Sequence, residues 1–302
     1  MVRPGSAGAA NRAAPVLAIL AGGRDRRSPI AGQVNRALLT FGGRTSLERI
    51  LQAAEQSRAF GRILVVGPAE LEPAIAAVAL TTPVLLAGPS VSFADAITQA
   101  FAAAGLDAAE RLYFATGDIP LLGAEELVRF VDAVERSVAD VCMAFPRPNG
   151  SAPSARLLPS YRRSMLIAQG GPYLAGNLFA LRSHVLEFTD VIERARRARR
   201  QSSIVNVLRA LPAFAVTGLR SVPALRIWLR LVIVRTLWLR RGEYEWVPAA
   251  APSTDQIRRA IVALSGGRLS VEFVDAGGAG ACYDVDTLEE YEAVNALLRG
   301  SE

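Results

Sequence analysis

The sequence predicts an α/β fold built on a doubly wound, mostly parallel sheet. Three observations carry this: short β-branched runs alternate with longer Ala/Leu-rich stretches, the first run stops at a glycine pair, and 51% of the 302 residues are hydrophobic, ample for a large core. Candidate strands are Val16–Ala21, Ile63–Val66, Val84–Leu86, Leu112–Thr116, Val141–Phe145 and Leu178–Leu181. Ser46–Arg58, Ala94–Ala104 and Glu125–Ser137 read as helices, with Thr45 or Ser46, Ser92 and Gly123 near their starts. "RPNGSAPS", residues 147–154, is a loop, and "GGPYLAGNLFALR" reads as a loop feeding the strand at Leu178. The end of the chain reads as a strand, a glycine-rich turn and an acidic loop whose Thr287 caps a final helix. The first fifteen residues form a loose terminus with no apolar core of a secretory signal, and residues 16–302 make one domain.

Charge narrows the partners. The chain carries 34 basic residues against 28 acidic ones, and every basic residue is arginine, because lysine is absent. An isoelectric point near 10 favours anionic partners. Cys142 and Cys282 stand far apart without metal-ligand spacing, so a reducing, cytoplasmic setting is expected. His184 is the sole histidine and reads as structural, which argues against a histidine-based triad or metal site.

In doubly wound sheets ligands sit beyond the carboxyl ends of the strands, which here directs attention to two loops. Gly22 and Gly23 follow the first strand, and glycines there let backbone N–H groups approach a phosphate or a base closely. Arginines at 24, 26, 27 and 36 can then neutralise phosphates. The pattern is neither G-x-G-x-x-G nor a Walker loop. The second loop, "TGDIPLL", fixes Asp118 at the end of a central strand, and "YDVDTLEEYE" supplies Asp284 and Asp286 from far along the chain. Two carboxylates from separate loops suit Mg2+, which keeps several waters and takes one or two protein carboxylates beside substrate phosphates. Taken singly, Asp284 and Asp286 read better as turn or capping residues.

"LAGGRDRR…NRALLTFGGRTSLERIL", "TGDIPLL", "GNLFALR" and "DVDTLEEYEAV", in this order, resemble the nucleotidyltransferases related to the molybdenum-cofactor guanylyltransferase. The resemblance covers most of the chain, most closely 16–145 and 270–298, and implies a glycosyltransferase-A-like fold and Mg2+-dependent transfer of a nucleotide from a triphosphate to a phosphorylated acceptor. It implies nucleotide binding by Leu20, Ala21, Gly22, Gly23 and Arg24, and catalytic roles for Arg27, Arg36 and Asp118. Asp118 and Asp286 would bind the metal, and Gly176 and Asn177 would lie beside the acceptor. The chain departs from the family pattern in Asp25 for a serine, Arg27-Ser28-Pro29 for R-M-G, Arg36 for a lysine and Leu288 for a proline. A nucleotide-sugar glycosyltransferase or a non-catalytic nucleotide binder of the same fold is compatible with the same motifs.

Residues 182–241 hold thirteen arginines and three acids, a surplus exceeding the net +6 of the whole chain. This stretch belongs to a helical, arginine-rich insert expected at about 183–265. Over 222–241, Arg226, Arg230, Arg240 and Arg241 share one side of a helix, with Arg235 the exception. The segment reads either as a subdomain packed on the sheet or on a second subunit, or as a contact with an anionic membrane surface that brings the enzyme to a lipid-linked acceptor; as the chain's main functional surface it would instead make the protein a peripheral membrane or nucleic-acid adaptor. "ERARRARRQ" reads as a solvated face and no nucleic-acid partner is expected.

Overall fold

The computed structural model describes residues 14–23, 29–107, 109–147, 161, 165–174, 176–189, 222–241 and 249–299. In chain order the strands and helices are β1 (Val16–Leu20), β2 (Thr40–Phe41), β3 (Arg44–Thr45), α1 (Ser46–Ser57), β4 (Arg62–Val66), α2 (Glu72–Ala76), β5 (Val84–Ala87), α3 (Phe93–Ala104), β6 (Arg111–Thr116) and α4 (Ala124–Arg136). There follow β7 (Val141–Ala144), β8 (Met165–Ala168), β9 (Gly171–Leu174), β10 (Leu178–Arg182), α5 (Val222–Arg241), α6 (Thr254–Leu264), β11 (Val271–Val274) and α7 (Leu288–Arg299). Of the expected insert, α5 and α6 are helical, while 190–221 and 242–248 lie outside the described residues.

Seven strands form the central sheet in the order β11-β7-β10-β6-β1-β4-β5. All its pairings are parallel except those of β10, which runs antiparallel to both β6 and β7. The chain leaves β1 towards β4 and β5, then crosses back to β6 on the other side of β1. That reversal opens a crevice at the carboxyl ends of β1 and β6, where such folds bind ligands.

The period-two alternation of β1 explains why the whole strand is buried. Leu17 and Ile19 point into a core completed by Leu47, Ile50 and Leu51 of α1 and Leu127 and Phe130 of α4. Val16, Ala18 and Leu20 point into a second core with Ile97, Ala100 and Phe101 of α3. A sheet covered on both faces calls for near-continuous apolar strands, and "VLAIL" is one.

The strands and helices expected for the first half occur with ends shifted by a residue or so. The caps also form: Thr45 and Glu48 make a reciprocal capping box at α1, and the Ser92 hydroxyl accepts from Asp95 N–H at α3. Two features differ. Gly171–Leu174, read as loop, is β9, paired antiparallel with β8 in a hairpin. A four-residue run containing Pro172 offers little strand propensity of its own, and the hairpin is held by Met165, Ile167 and Leu174 in a third core. The two-residue ribbon β2–β3 turns on Gly42 and Gly43, both at positive φ.

Gly176 donates its N–H to the Ala144 carbonyl, and a Cβ added there would stand 2.4 Å from that oxygen. Gly176→Ala therefore forces β7 and the start of β10 apart and should cost about 1–3 kcal/mol. Gly88→Ala, where a Cβ meets open space, should stay within about 0.5 kcal/mol; urea unfolding of both variants checks the contrast.

Candidate active site

Three segments close on one another at the carboxyl ends of β1 and β6. Ala21 N–H donates to Val66 O at 2.9 Å and Gly117 N–H to Leu20 O at 2.9 Å, extending both strand pairings by one residue. Asn35, buried, donates to Ala21 O at 3.1 Å while its Oδ1 accepts from Ala37 N–H at 3.0 Å, which caps a 3-10 turn over Arg36–Leu38. A Cβ on Gly117 would come within 3.0 Å of Ala21 and of Ala37, so glycine is what lets the three backbones meet. This contact sets Arg36 beside the end of β1.

Leu20 and Ala21 are buried and Gly23 is exposed, with open space where a side chain would stand. A Cβ on Gly22 would be 3.0 Å from the Ser90 hydroxyl. Arg24 and Arg27 lie outside the described residues.

Asp118 follows Gly117, and its carbonyl accepts from Val285 N–H at 3.1 Å. That bond brings the acidic loop from the far end of the chain against the β6 loop. Arg49 of α1 holds the other side, donating to Pro120 O at 3.0 Å and Phe41 O at 3.3 Å. Asp118 keeps some exposed surface as a residue, yet its Oδ1 is buried and has no hydrogen-bond partner among the described residues. Burial raises its pKa, and the charge of Asp286 pushes the same way against the Thr116 hydroxyl and the Arg36 guanidinium.

Asp286 is half exposed and forms an ion pair with Arg36, whose side chain is 20% exposed. Its backbone is fixed by the α7 cap: the buried Glu290 carboxylate accepts from Asp286 N–H at 2.8 Å and Thr287 N–H at 2.9 Å, and Thr287 Oγ1 accepts from Glu290 N–H. This is the T-x-x-E capping box, with Thr287 as the cap the sequence indicated. Asp284, two residues earlier, is half-buried.

Asn177 links the same elements, donating its N–H to Ala281 O at 2.9 Å and accepting from Thr116 N–H at 3.1 Å. Its side-chain Nδ2 and the Thr116 hydroxyl are buried without partners among the described residues. Unpaired polar groups are rare in interiors. Thr116, Asp118 and Asn177 thus gather three of them at one strand edge.

The expected residues Leu20–Gly23, Arg36, Asp118, Gly176, Asn177 and Asp286 therefore meet at one edge of the sheet. His184 does not. It follows β10, whose antiparallel course carries Arg182 to the opposite edge beside Arg111, and it pairs with Asp140 at 3.1 Å.

Four residues in this region escaped the sequence reading. Asn35 carried a usable signal, an Asn just before an apolar turn. Arg49 reads as a surface arginine of a helix. Glu126 reads as an ordinary acid of a first helical turn, but it is buried and accepts from Ala281 N–H at 3.1 Å, bracing the closing loop. Tyr161 has no sequence signal: its fully buried ring meets Tyr283 edge to face at 4.9 Å, and its hydroxyl has no partner among the described residues. Burial raises the pKa of this phenol, as do the charges of Glu290, Asp284, Asp286 and Asp118, so it stays protonated.

The fold and the paired acid–arginine edge define a nucleotidyltransferase. The chain belongs to the MobA-like NTP transferase domain family, whose profile matches residues 17–213. Among solved structures it is similar to a hypothetical transferase from Thermus thermophilus, at 21% identity with a TM-score of 0.61, covering 92% of this chain and 99% of that one. It is also similar to a CMP:2-keto-3-deoxy-manno-octonic acid synthetase complexed with CTP, at 12% identity with a TM-score of 0.52, covering 95% and 99%. No curated protein sequence matches.

Burial raises Glu126 from 4.5 to about 7, against the Ala281, Gly123 and Gly280 N–H groups that favour its charged form. A carboxyl whose folded pKa lies above its unfolded value contributes most below the unfolded pKa and loses that contribution as pH rises through the folded one. Wild type should therefore lose on the order of 3 kcal/mol between pH 4.5 and about 7 relative to Glu126→Gln, and change little in this respect above that. Chemical denaturation across that range, with the variant as reference, checks the slope.

Proposed function

We propose that this enzyme transfers a nucleoside monophosphate from a nucleoside triphosphate to a phosphorylated acceptor and releases pyrophosphate, and that residues 16–302 act as one domain in doing so. The observation that carries this reading is the buried, unpartnered Oδ1 of Asp118 beside Asp286, which is itself paired with Arg36. Two oxygen ligands from two loops fit Mg2+, which would be held by Asp118 and Asp286 and would neutralise charge on the triphosphate.

The remaining work falls to the chain's own groups. Past the buried Ala21, the Gly22–Gly23 backbone would meet the base and phosphates, with no side chain in the way at Gly23. Were Asp286 to hold the cation, the Arg36 guanidinium beside it would be placed to meet a phosphate, together with Arg27. The acceptor's phosphate oxygen, positioned near Gly176 and Asn177, attacks the α-phosphorus in line. A new P–O bond forms as the bond to the β-phosphate breaks, and its electron pair leaves with pyrophosphate. No general base is needed because the nucleophile is already an anion. Arg27 and Arg36 stabilise the charge that builds on the α-phosphate and the leaving group.

Melting with ATP, CTP, GTP and UTP, each with and without Mg2+, tests the donor site. One triphosphate at 100 times its Kd should add about 2.7 kcal/mol, with the Mg2+-dependent part lost in Asp118→Asn. Absence of any shift overturns the reading, and a shift without pyrophosphate release on acceptor addition leaves a nucleotide binder. Arg36→Ala should lower kcat about 100- to 1,000-fold, and Arg36→Lys, which restores the family's ammonium, should recover part of it.

A further inference from the structure

Helix α5 has two faces with different surroundings. On the inner one, Val234 and Trp238 are buried in the core that also contains Ile30, Tyr161, Tyr283 and Val285, the last two flanking Asp284. This packing accounts for only half of the helix.

On the outer face, positions 222, 226, 229, 230, 233 and 237 recur at helical spacing. Val222 is 53% exposed and Ile233 58%, Arg226 and Arg230 are exposed, and Leu229 and Leu237 are half-buried. The helix contains no acid. Aliphatic side chains and arginines thus alternate along this face.

Three occupants can be compared by charge. A second copy joined by a two-fold axis would bring Arg226 and Arg230 near their own counterparts, and like charges repel. A nucleic acid would accept the arginines but leave Val222 and Ile233 without a partner, and the outer stripe has no aromatic ring on which a base could stack. An anionic lipid surface satisfies both sets, with guanidinium groups at the headgroup phosphates and aliphatic side chains at the acyl boundary. The surplus of thirteen arginines over three acids across 182–241 acts in the same direction. Among the described residues no helix is long and apolar enough to cross a membrane, so the contact is along the surface.

We propose that the outer face of α5, through Val222, Arg226, Arg230 and Ile233, docks this protein on an anionic membrane surface. Tyr283 and Val285 of the acidic loop share the core on the inner side of this helix, so docking would bring that loop towards an acceptor phosphate carried by a lipid. Docking itself does not depend on the transfer chemistry.

The test is co-flotation of the full-length protein with vesicles of phosphatidylcholine alone or with phosphatidylglycerol added, without nucleotide. Binding is expected only to the anionic vesicles, weakened by salt. Arg226→Gln should weaken it about five-fold, by loss of one cation at the surface, and Ile233→Ser should weaken it as well. Both side chains are exposed, so the melting temperature should stay unchanged and show that the fold is intact. Equal binding to neutral and anionic vesicles, no binding to either, or indifference to both substitutions overturns the proposal. So does self-association abolished by Ile233→Ser, or binding to single-stranded DNA in place of vesicles.

Discussion

The hydrogen bond from Val285 N–H to the Asp118 carbonyl joins two loops that lie at opposite ends of the sequence, and the candidate site exists because they meet. It aligns the backbone that carries Asp286 with the end of β6, so that two carboxylates share one neighbourhood. The supports around it all serve the same closure. Glu126 receives Ala281 N–H, Asn177 bonds to Ala281 O and to Thr116 N–H, and Glu290 fixes Asp286 through the cap of α7. At Gly280 a Cβ would press within 2.2 Å of Leu121 O and 2.7 Å of Glu126 Oε2, so this close approach is open only to glycine.

Closing the loops concentrates negative charge. Burial raises the cost of ionising Asp118, and the neighbouring charge of Asp286 adds to it. Arg36 offsets this through its ion pair with Asp286. A planar guanidinium reaches two acceptors at once in a way that a compact ammonium does not, which gives the replacement of the family's lysine a physical sense. In this structure the guanidinium serves the Asp286 carboxylate.

Much of this was legible in the sequence. The apolar runs of β1, β4 and β6 are continuous because both faces of the sheet are covered, and Thr45, Ser92 and Thr287 mark helix starts through their own side-chain bonds. Gly22, Asp118 and Asp286 stood out because the motifs that carry them occur together and in order. The antiparallel course of β10 left no local mark, since strand direction is set by pairing. The β8–β9 hairpin was missed because tertiary packing of Met165 and Leu174 overrides the weak propensity of its short strands. Glu126 and Tyr161 were missed because burial of a polar group depends on residues over a hundred positions away.

The central claim is that Asp118 and Asp286 act as one site, and a double-mutant cycle on Mn2+ affinity tests it most directly. Wild type, Asp118→Asn, Asp286→Asn and the double variant would be titrated with Mn2+ and the free ion read by electron paramagnetic resonance. The account predicts that each single substitution removes most of the affinity and that the double variant is little worse than either, because neither carboxylate holds the ion alone. Losses that simply add, or tight binding that survives in the double variant, would contradict it.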